Sequence, residues 1–302
     1  MPAWYPGSSR APTHSINIAQ SVRKRTDWGH SCPYTARPCW LAASRSVAHW
    51  STGADPLGEA AISIATLRTA RSNRLLAALP RATLERIVPF LHLRPFALRQ
   101  VLQKRGAVLD GVVFPIAGVA SMITVSDSGT SVEVATIGSE GMVGLPLFLG
   151  GQSSAAEVFV QVAGQGLFMA GAQFHRHVAA ESSLTRMLLL YTQALMTQIA
   201  QCAACASTHR ITARSARWIL QTHDRIAGKE FVLTHEFLGL MLGVRRATVS
   251  EAAQDLQARG LIRYRRGLIT VVDRGGLEKV ACDCYRLINR EYARLLKPKR
   301  AS

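Results

Sequence analysis

The sequence predicts an α+β chain: a small antiparallel β-barrel or sandwich, one long helix, and a C-terminal winged helix-turn-helix. Three observations carry that expectation. Between Leu98 and Phe168, short β-branched runs alternate with Gly, Pro, Asp and Ser turns. From Ser183 to His209, eight positions repeat at 3.5-residue spacing. From Thr234 to Ile262, a capped helix, a Gly turn and a second helix succeed one another, with a basic hairpin behind them.

Composition sets the outer bounds. The 302 residues are 48% hydrophobic and 18% charged, which excludes a disordered chain and leaves room for two domains. Six cysteines are too few and too scattered for a disulfide framework, so a reducing, cytoplasmic setting is expected. No apolar signal core opens the chain. The charge-free stretch Met187 to His209 carries Thr192, Gln193, Thr197, Gln198 and Gln201, too polar for hydrocarbon, so no membrane partner is expected. Lys and Arg total 36 against 19 acids, a formal charge of +17. Residues 210–302 hold 19 basic and 9 acidic side chains, whereas no Lys or Arg lies between Arg105 and Arg176. A near-neutral middle and a strongly basic last third point to a polyanionic partner for that third.

Residues 1–70 read as an irregular extension, rich in Ser, Ala, Arg and Thr, to which no function is assigned. Residues 71–182 form the first expected domain. Leu75, Leu76, Leu79, Leu84, Ile87 and Val88 make a helical stripe, and Pro80 opens its second helix. The runs Val112–Phe114, Met122–Val125, Val132–Val134 and Val158–Val162 read as strands, separated by turns such as Gly118, Asp127-Ser128-Gly129 and Gly150-Gly151. Residues 183–209 form the long helix. Leu184, Leu188, Tyr191, Leu195, Gln198, Cys202, Cys205 and His209 fall on one heptad seam, expected to pack against a second copy of the chain. Met187, Met196 and Ile199 offer a second face for the barrel.

Residues 210–302 carry the functional motif. Thr234 can cap a short helix, with Glu236 near its positive end. Gly239 is small where two helices should cross, and Gly243 suits the left-handed turn that ends the first of them. Leu238, Leu242, Val244, Val249, Ala252 and Leu256 close the core. The second helix starts near Arg245, and Gly260 ends it. Leu261–Tyr264, a turn at Arg265-Arg266-Gly267, and Leu268–Val271 follow as a hairpin whose Arg263, Arg265 and Arg266 would meet phosphate. These parts together predict a double-stranded DNA-binding module.

Beyond the motif, the sequence resembles the Crp–Fnr regulators over about Asn73 to Tyr285. The likeness is carried by Leu75-Leu76-Ala77-Ala78-Leu79-Pro80, Val113-Phe114-Pro115, Gly138-Ser139-Glu140-Gly141-Met142-Val143-Gly144, the long helix and the winged helix. It implies a β-roll sensor domain (a cyclic-nucleotide-binding-like jelly roll), a dimerisation helix, and a transcription regulator without catalytic activity. Such a regulator binds a near-palindromic operator as a homodimer, with RNA polymerase as partner and an unidentified small effector. Mapped onto the family pattern, Thr234 and His235 contact phosphate and Arg246 reads guanine with its guanidinium fork. Arg245, Thr248 and Ser250 neighbour it, and Glu251 stands where the family has a basic reader, so it could accept from a cytosine amine. Val249 is core despite lying on the reading helix.

The sequence also departs from the family. Cyclic-nucleotide binders carry a ribose-binding Glu after a Phe-Gly turn and a phosphate-binding Arg beyond it. Here Gly144 is followed by Leu145-Pro146, and the later segment is Gln152-Ser153-Ser154-Ala155-Ala156. A cyclic phosphate without a cation would be costly to bury, so cyclic AMP is not expected as ligand. The rival reading is a nucleotide held by backbone amides of Gly138 to Gly144. Only Cys32 and Cys39 lie near the N-terminus, so no iron–sulfur cluster is expected there. Cys202-x-x-Cys205 has zinc or redox spacing, but packing on the seam is the preferred reading. Cys282 and Cys284, taken to open the last helix, would face different ways and chelate poorly. His175-Arg176-His177 with Glu181 reads as surface helix rather than a metal motif. No cofactor, metal or catalytic residue is therefore assigned. An enzyme built on the barrel is the reading from a different class, and residues 98–170 contain no His to support it.

Overall fold

The computed structural model describes residues 63–126 and 129–296. Residues 1–62 of the expected extension, Cys32 and Cys39 among them, lie outside that range. Elements already appear at Ser63 among the described residues, ahead of the boundary expected at 71: β1 (Ser63–Ile64) and α1 (Leu67–Ala70), with Ala65 and Ala70 buried. Thr66 caps α1 through its hydroxyl, which accepts from the Thr69 amide. Asn73 caps α2 (Arg74–Ala77), accepting from the Leu75 and Leu76 amides at 3.1 and 3.2 Å. Its amide donates to the carbonyls of Pro115 and Gly141 at 2.8 and 2.9 Å, so one buried side chain ends a loop and ties it to the sheet. Pro80 leads into α3 (Arg81–Ile87), as its fixed φ favours.

The β domain contains β2 (His92–Phe96), β3 (Val101–Gln103), β4 (Gly111–Val125), β5 (Ser131–Ile137) and β6 (Glu157–Ala170), with α4 (Leu145–Phe148) between the last two. Their sheet runs β1-β2-β6-β4-β5, all antiparallel, with β3 also on β6. The sequence runs Val112–Phe114 and Met122–Val125 belong to one 15-residue strand rather than two. Gly118 does not break it. Instead the register against β6 shifts at Pro115/Ala117, Ala117/Val119 and Val119/Ala120, and these bulges bend the long pair into a roll.

Helices α5 (Gly171–Ala180) and α6 (Ser182–Thr208) follow. His175 and His177 sit on α5, and Glu181 is engaged by Arg86 at 2.5 and 2.8 Å. The heptad seam on α6 faces inward. Leu184, Leu188, Tyr191, Leu195, Gln198 and Cys205 are buried within the chain itself. The Tyr191 hydroxyl donates to the Met142 carbonyl at 3.0 Å, and the Gln198 amide donates to the Thr136 carbonyl at 3.2 Å. These residues therefore cannot present themselves to a second chain in this conformation. Cys202 and His209 are half-buried on the same side. A second stripe runs along the opposite face at the same spacing: Ser182, Arg186, Leu189, Gln193, Met196, Ala200, Ala203 and Ser207, all exposed. Met196, expected against the barrel, is 65% exposed, and Leu189 57%. A 3.5-residue repeat marks both stripes alike, and only packing decides which one turns inward.

The C-terminal part consists of α7 (Ile211–His223), β7 (Glu230–Val232), α8 (His235–Leu242), α9 (Arg246–Ala258), β8 (Ile262–Arg265), β9 (Leu268–Val271), α10 (Arg274–Val280) and α11 (Cys284–Leu295). Strands β7-β9-β8 form its sheet. Its core of Trp218, Phe231, Leu238, Val249, Leu256, Ile262 and Ile269 continues into the roll through Ile123 and Phe159. No helix among the described residues is long and apolar enough to cross a membrane.

Candidate nucleic-acid interface

Helices α8 and α9 owe their ends to local chemistry. The Thr234 hydroxyl accepts from the Phe237 amide at 3.1 Å, and Glu236 stands in the first turn. Gly243 closes α8 at φ +64°, a left-handed conformation that costs a residue with a Cβ. At Gly239 a Cβ would meet the Val244 carbonyl at 3.0 Å and the Arg246 nitrogen at 3.5 Å, so its small size makes room for the turn and the start of α9. Arg245 opens α9 with extended backbone and no side-chain cap, which leaves first-turn amides without a protein acceptor.

The period of α9 sorts its side chains. Val249, Ala252, Ala253 and Leu256 are buried, while Arg245, Arg246, Ala247, Glu251 and Gln254 are exposed and Thr248 and Ser250 are half-buried. Gln254, on the exposed face, was not singled out from sequence, although it stands three residues after Glu251 on the same face. Ser250 is occupied internally. Its hydroxyl lies 3.0 Å from the Arg246 carbonyl and 2.9 Å from His235 Nδ1. His235 in turn stacks on Tyr264 with ring centroids 4.1 Å apart and planes at 25°. Burial and then the neighbouring Arg246 charge lower the His235 pKa, keeping the ring neutral near pH 7. His235 thus ties α8 to α9 and the wing, while exposed Thr234 caps α8 and keeps its hydroxyl proton free to donate.

The wing is a two-residue hairpin. Arg265 pairs with Leu268 across it, and Arg266 and Gly267 take φ +51° and +80°, the turn type that matches strand twist. Gln257 of α9 accepts from the Tyr264 amide at 2.8 Å, fixing the wing against the helix. Arg263, Arg265 and Arg266 are exposed. Together with Arg245 and Arg246 they form no ion pair among the described residues. Five guanidinium groups on one helix start and one hairpin make a surface suited to a regular array of phosphates and base edges.

Behind this surface lies a buried joint with the roll. Arg225 donates to Glu140 from Nε at 2.9 Å and from its terminal nitrogen at 2.8 Å, both side chains 6% exposed. Glu140 also accepts from the Gly138 amide at 3.1 Å, the Gly141 amide donates to the Gly138 carbonyl, and the Val143 amide to Val113. Those three amides, which the rival nucleotide reading needs, are already engaged. Trp218 Nε1 donates to Glu133 at 2.8 Å. Burial pushes the Glu133 carboxyl up to about 7, against its bonds to Ser121 and Trp218. Phe237 of α8 meets Trp218 and, edge-on, Phe159 of the roll, at 6.3 and 6.0 Å between centroids.

Residues 213–280 match the family model of the Crp-like helix-turn-helix domain. Among curated proteins no sequence matches this chain. Solved structures of similar fold include a putative Crp/Fnr-family transcriptional regulator from Eubacterium rectale, 15% identical, TM-score 0.55, over 68% of this chain and 96% of that one. FixK2 from Bradyrhizobium japonicum is 15% identical, TM-score 0.55, over 64% of this chain and 98% of its own. A CRP-family transcriptional regulator from Thermus thermophilus is 17% identical, TM-score 0.53, over 62% and 96%.

Proposed function

We propose that the chain, whose residues 213–280 match the Crp-like helix-turn-helix domain, is a DNA-binding transcription regulator of the Crp–Fnr type that binds a near-palindromic operator as a homodimer in the cytoplasm. In this proposal α9 enters the major groove and the wing lies along the phosphates. The observation that carries it is the set of five exposed arginines, on one helix start and one hairpin, that form no ion pair among the described residues. Arg246 is the guanine reader, Glu251 and Gln254 read neighbouring base edges, and Arg263, Arg265 and Arg266 neutralise phosphate. The uncapped first turn of α9 supplies backbone donors for one more phosphate oxygen. RNA polymerase and a small effector at the roll complete the proposed partners, and the shared core through Phe159, Phe237 and Trp218 supports a route from roll to DNA-binding part. No catalytic step belongs to this proposal.

The dimer rests on the outward stripe of α6, where Leu189 and Met196 expose apolar surface at heptad spacing. Two such chains would present recognition helices about 34 Å apart. Selection of bound duplexes from a random pool tests the reading: a two-fold-related motif with half-sites about one helical turn apart is expected, and indifference among sequences would overturn it. Sedimentation of Leu189→Glu tests the dimer. A shift to monomer is expected, and an unchanged dimer would move the interface elsewhere.

A further inference from the structure

Cysteines that the sequence keeps far apart meet beside the end of α6. Cys205 lies on α6, His209 caps it, Cys282 precedes α11 and Cys284 opens it. The donor atoms of these four residues all lie within 4.8 Å of one another. The Cys205 and Cys282 sulfurs are 3.5 Å apart, and Cys284 Sγ is 3.4 Å from His209 Nδ1. A tetrahedral zinc with ~2.3 Å metal–sulfur bonds needs ligand edges of about 3.7 Å. All three cysteines are buried. The poor chelation expected of Cys282 and Cys284 assumed that both lie on a helix. Cys282 stands in the connection before it, so the two side chains converge. Cys202, whose spacing alone would pair it with Cys205, lies 3.4 Å from an Arg217 nitrogen and outside the cluster.

We propose that Cys205, His209, Cys282 and Cys284 bind a single zinc-class divalent ion that clamps α11 to α6. His209 ligates through Nδ1, because its Nε2 faces Asp283 Oδ1 at 3.3 Å, the outer carboxylate that fixes a metal-bound imidazole. Three thiolates around a divalent ion leave one negative charge, and the Arg217 guanidinium, 5% exposed, is the nearby cation that offsets it. Softness of the donors selects zinc over magnesium or calcium. The compactness of the set suits one ion, since a multi-iron cluster spreads its thiolates farther apart. Tyr292 of α11 donates to Gln198 of α6 at 2.8 Å, so the ion would complete a contact that the two helices already make.

The full chain, kept reduced, stripped with a chelator and titrated with cobalt(II), tests this directly. One cobalt per chain is expected, with the visible bands of a tetrahedral site and thiolate-to-metal charge transfer, displaced by one equivalent of zinc. Cys284→Ser and His209→Gln should each weaken cobalt binding roughly tenfold or more, and Cys202→Ser should not. Circular dichroism of the metal-free proteins identifies folded variants; should Cys284→Ser not fold, half-buried His209→Gln carries the comparison. A folded, reduced wild type without the tetrahedral spectrum overturns the proposal. So does binding that requires Cys202 but not Cys284. The optical readout does not involve DNA, so failure of this site and failure of the operator reading remain distinct.

Discussion

Arginine does opposite work in two regions of this molecule. On α9 and the wing, Arg245, Arg246, Arg263, Arg265 and Arg266 point to solvent and pair with nothing among the described residues. At the joint, Arg225 is buried and held by Glu140 with both side chains 6% exposed, and Arg217 bonds Gln221 at 2.7 Å. The same guanidinium group stays free where water surrounds it and becomes a structural strut where a buried acceptor meets it. The difference teaches that charge count alone identifies neither role. Counter-charge and burial do.

Four measurements sharpen that contrast. The largest effect should come from Arg225→Ala, which leaves Glu140 as an uncompensated buried carboxylate and should cost about 3–5 kcal/mol in chemical denaturation. A cost below ~1 kcal/mol would show the joint to be wet. Arg246→Ala should leave stability within about 0.5 kcal/mol, yet cost about 1–3 kcal/mol of operator affinity and relax one base position per half-site. Equal loss on random duplex would make Arg246 a phosphate contact. Arg265→Gln should weaken specific and random DNA alike and lower the salt slope of binding by about one. An unchanged slope would remove the wing from the phosphates.

A pH dependence tests the same joint. Glu133 ionises in the folded protein at about 7 against an ordinary 4.5. Folding therefore favours its protonated form, and its contribution to stability declines as pH rises from about 4.5 to about 7. Thermal melts should show Glu133→Gln flattening that decline. A decline of equal slope in the variant would assign it to other groups.

Much of the helix-turn-helix and its wing was legible from sequence because their signals are short-range. Thr234 sits three residues from the amide it caps, Gly243 directly follows the helix it ends, and the wing turn is two residues long. The family pattern assigned His235 to phosphate, and the fold sets its ring against Ser250, 15 residues on, and Tyr264. Local reading divided β4 at Gly118, where pairing with β6 carries the strand through. On α6 it turned the wrong stripe outward, since two stripes of equal spacing differ only in what lies beneath them.

By itself the sequence determined the parts: caps, periods, turn chemistry, and a basic end that fits an acidic polymer. These depend on residues within a turn or two of one another, where backbone sterics and single hydrogen bonds suffice. Only the tertiary structure decided the long pairings: Arg225 on Glu140 across 85 positions, and Cys205 beside Cys282 across 77. Such contacts depend on the path of the whole chain, and no local free-energy preference distinguishes the side chain that will find a buried partner from one that will meet water.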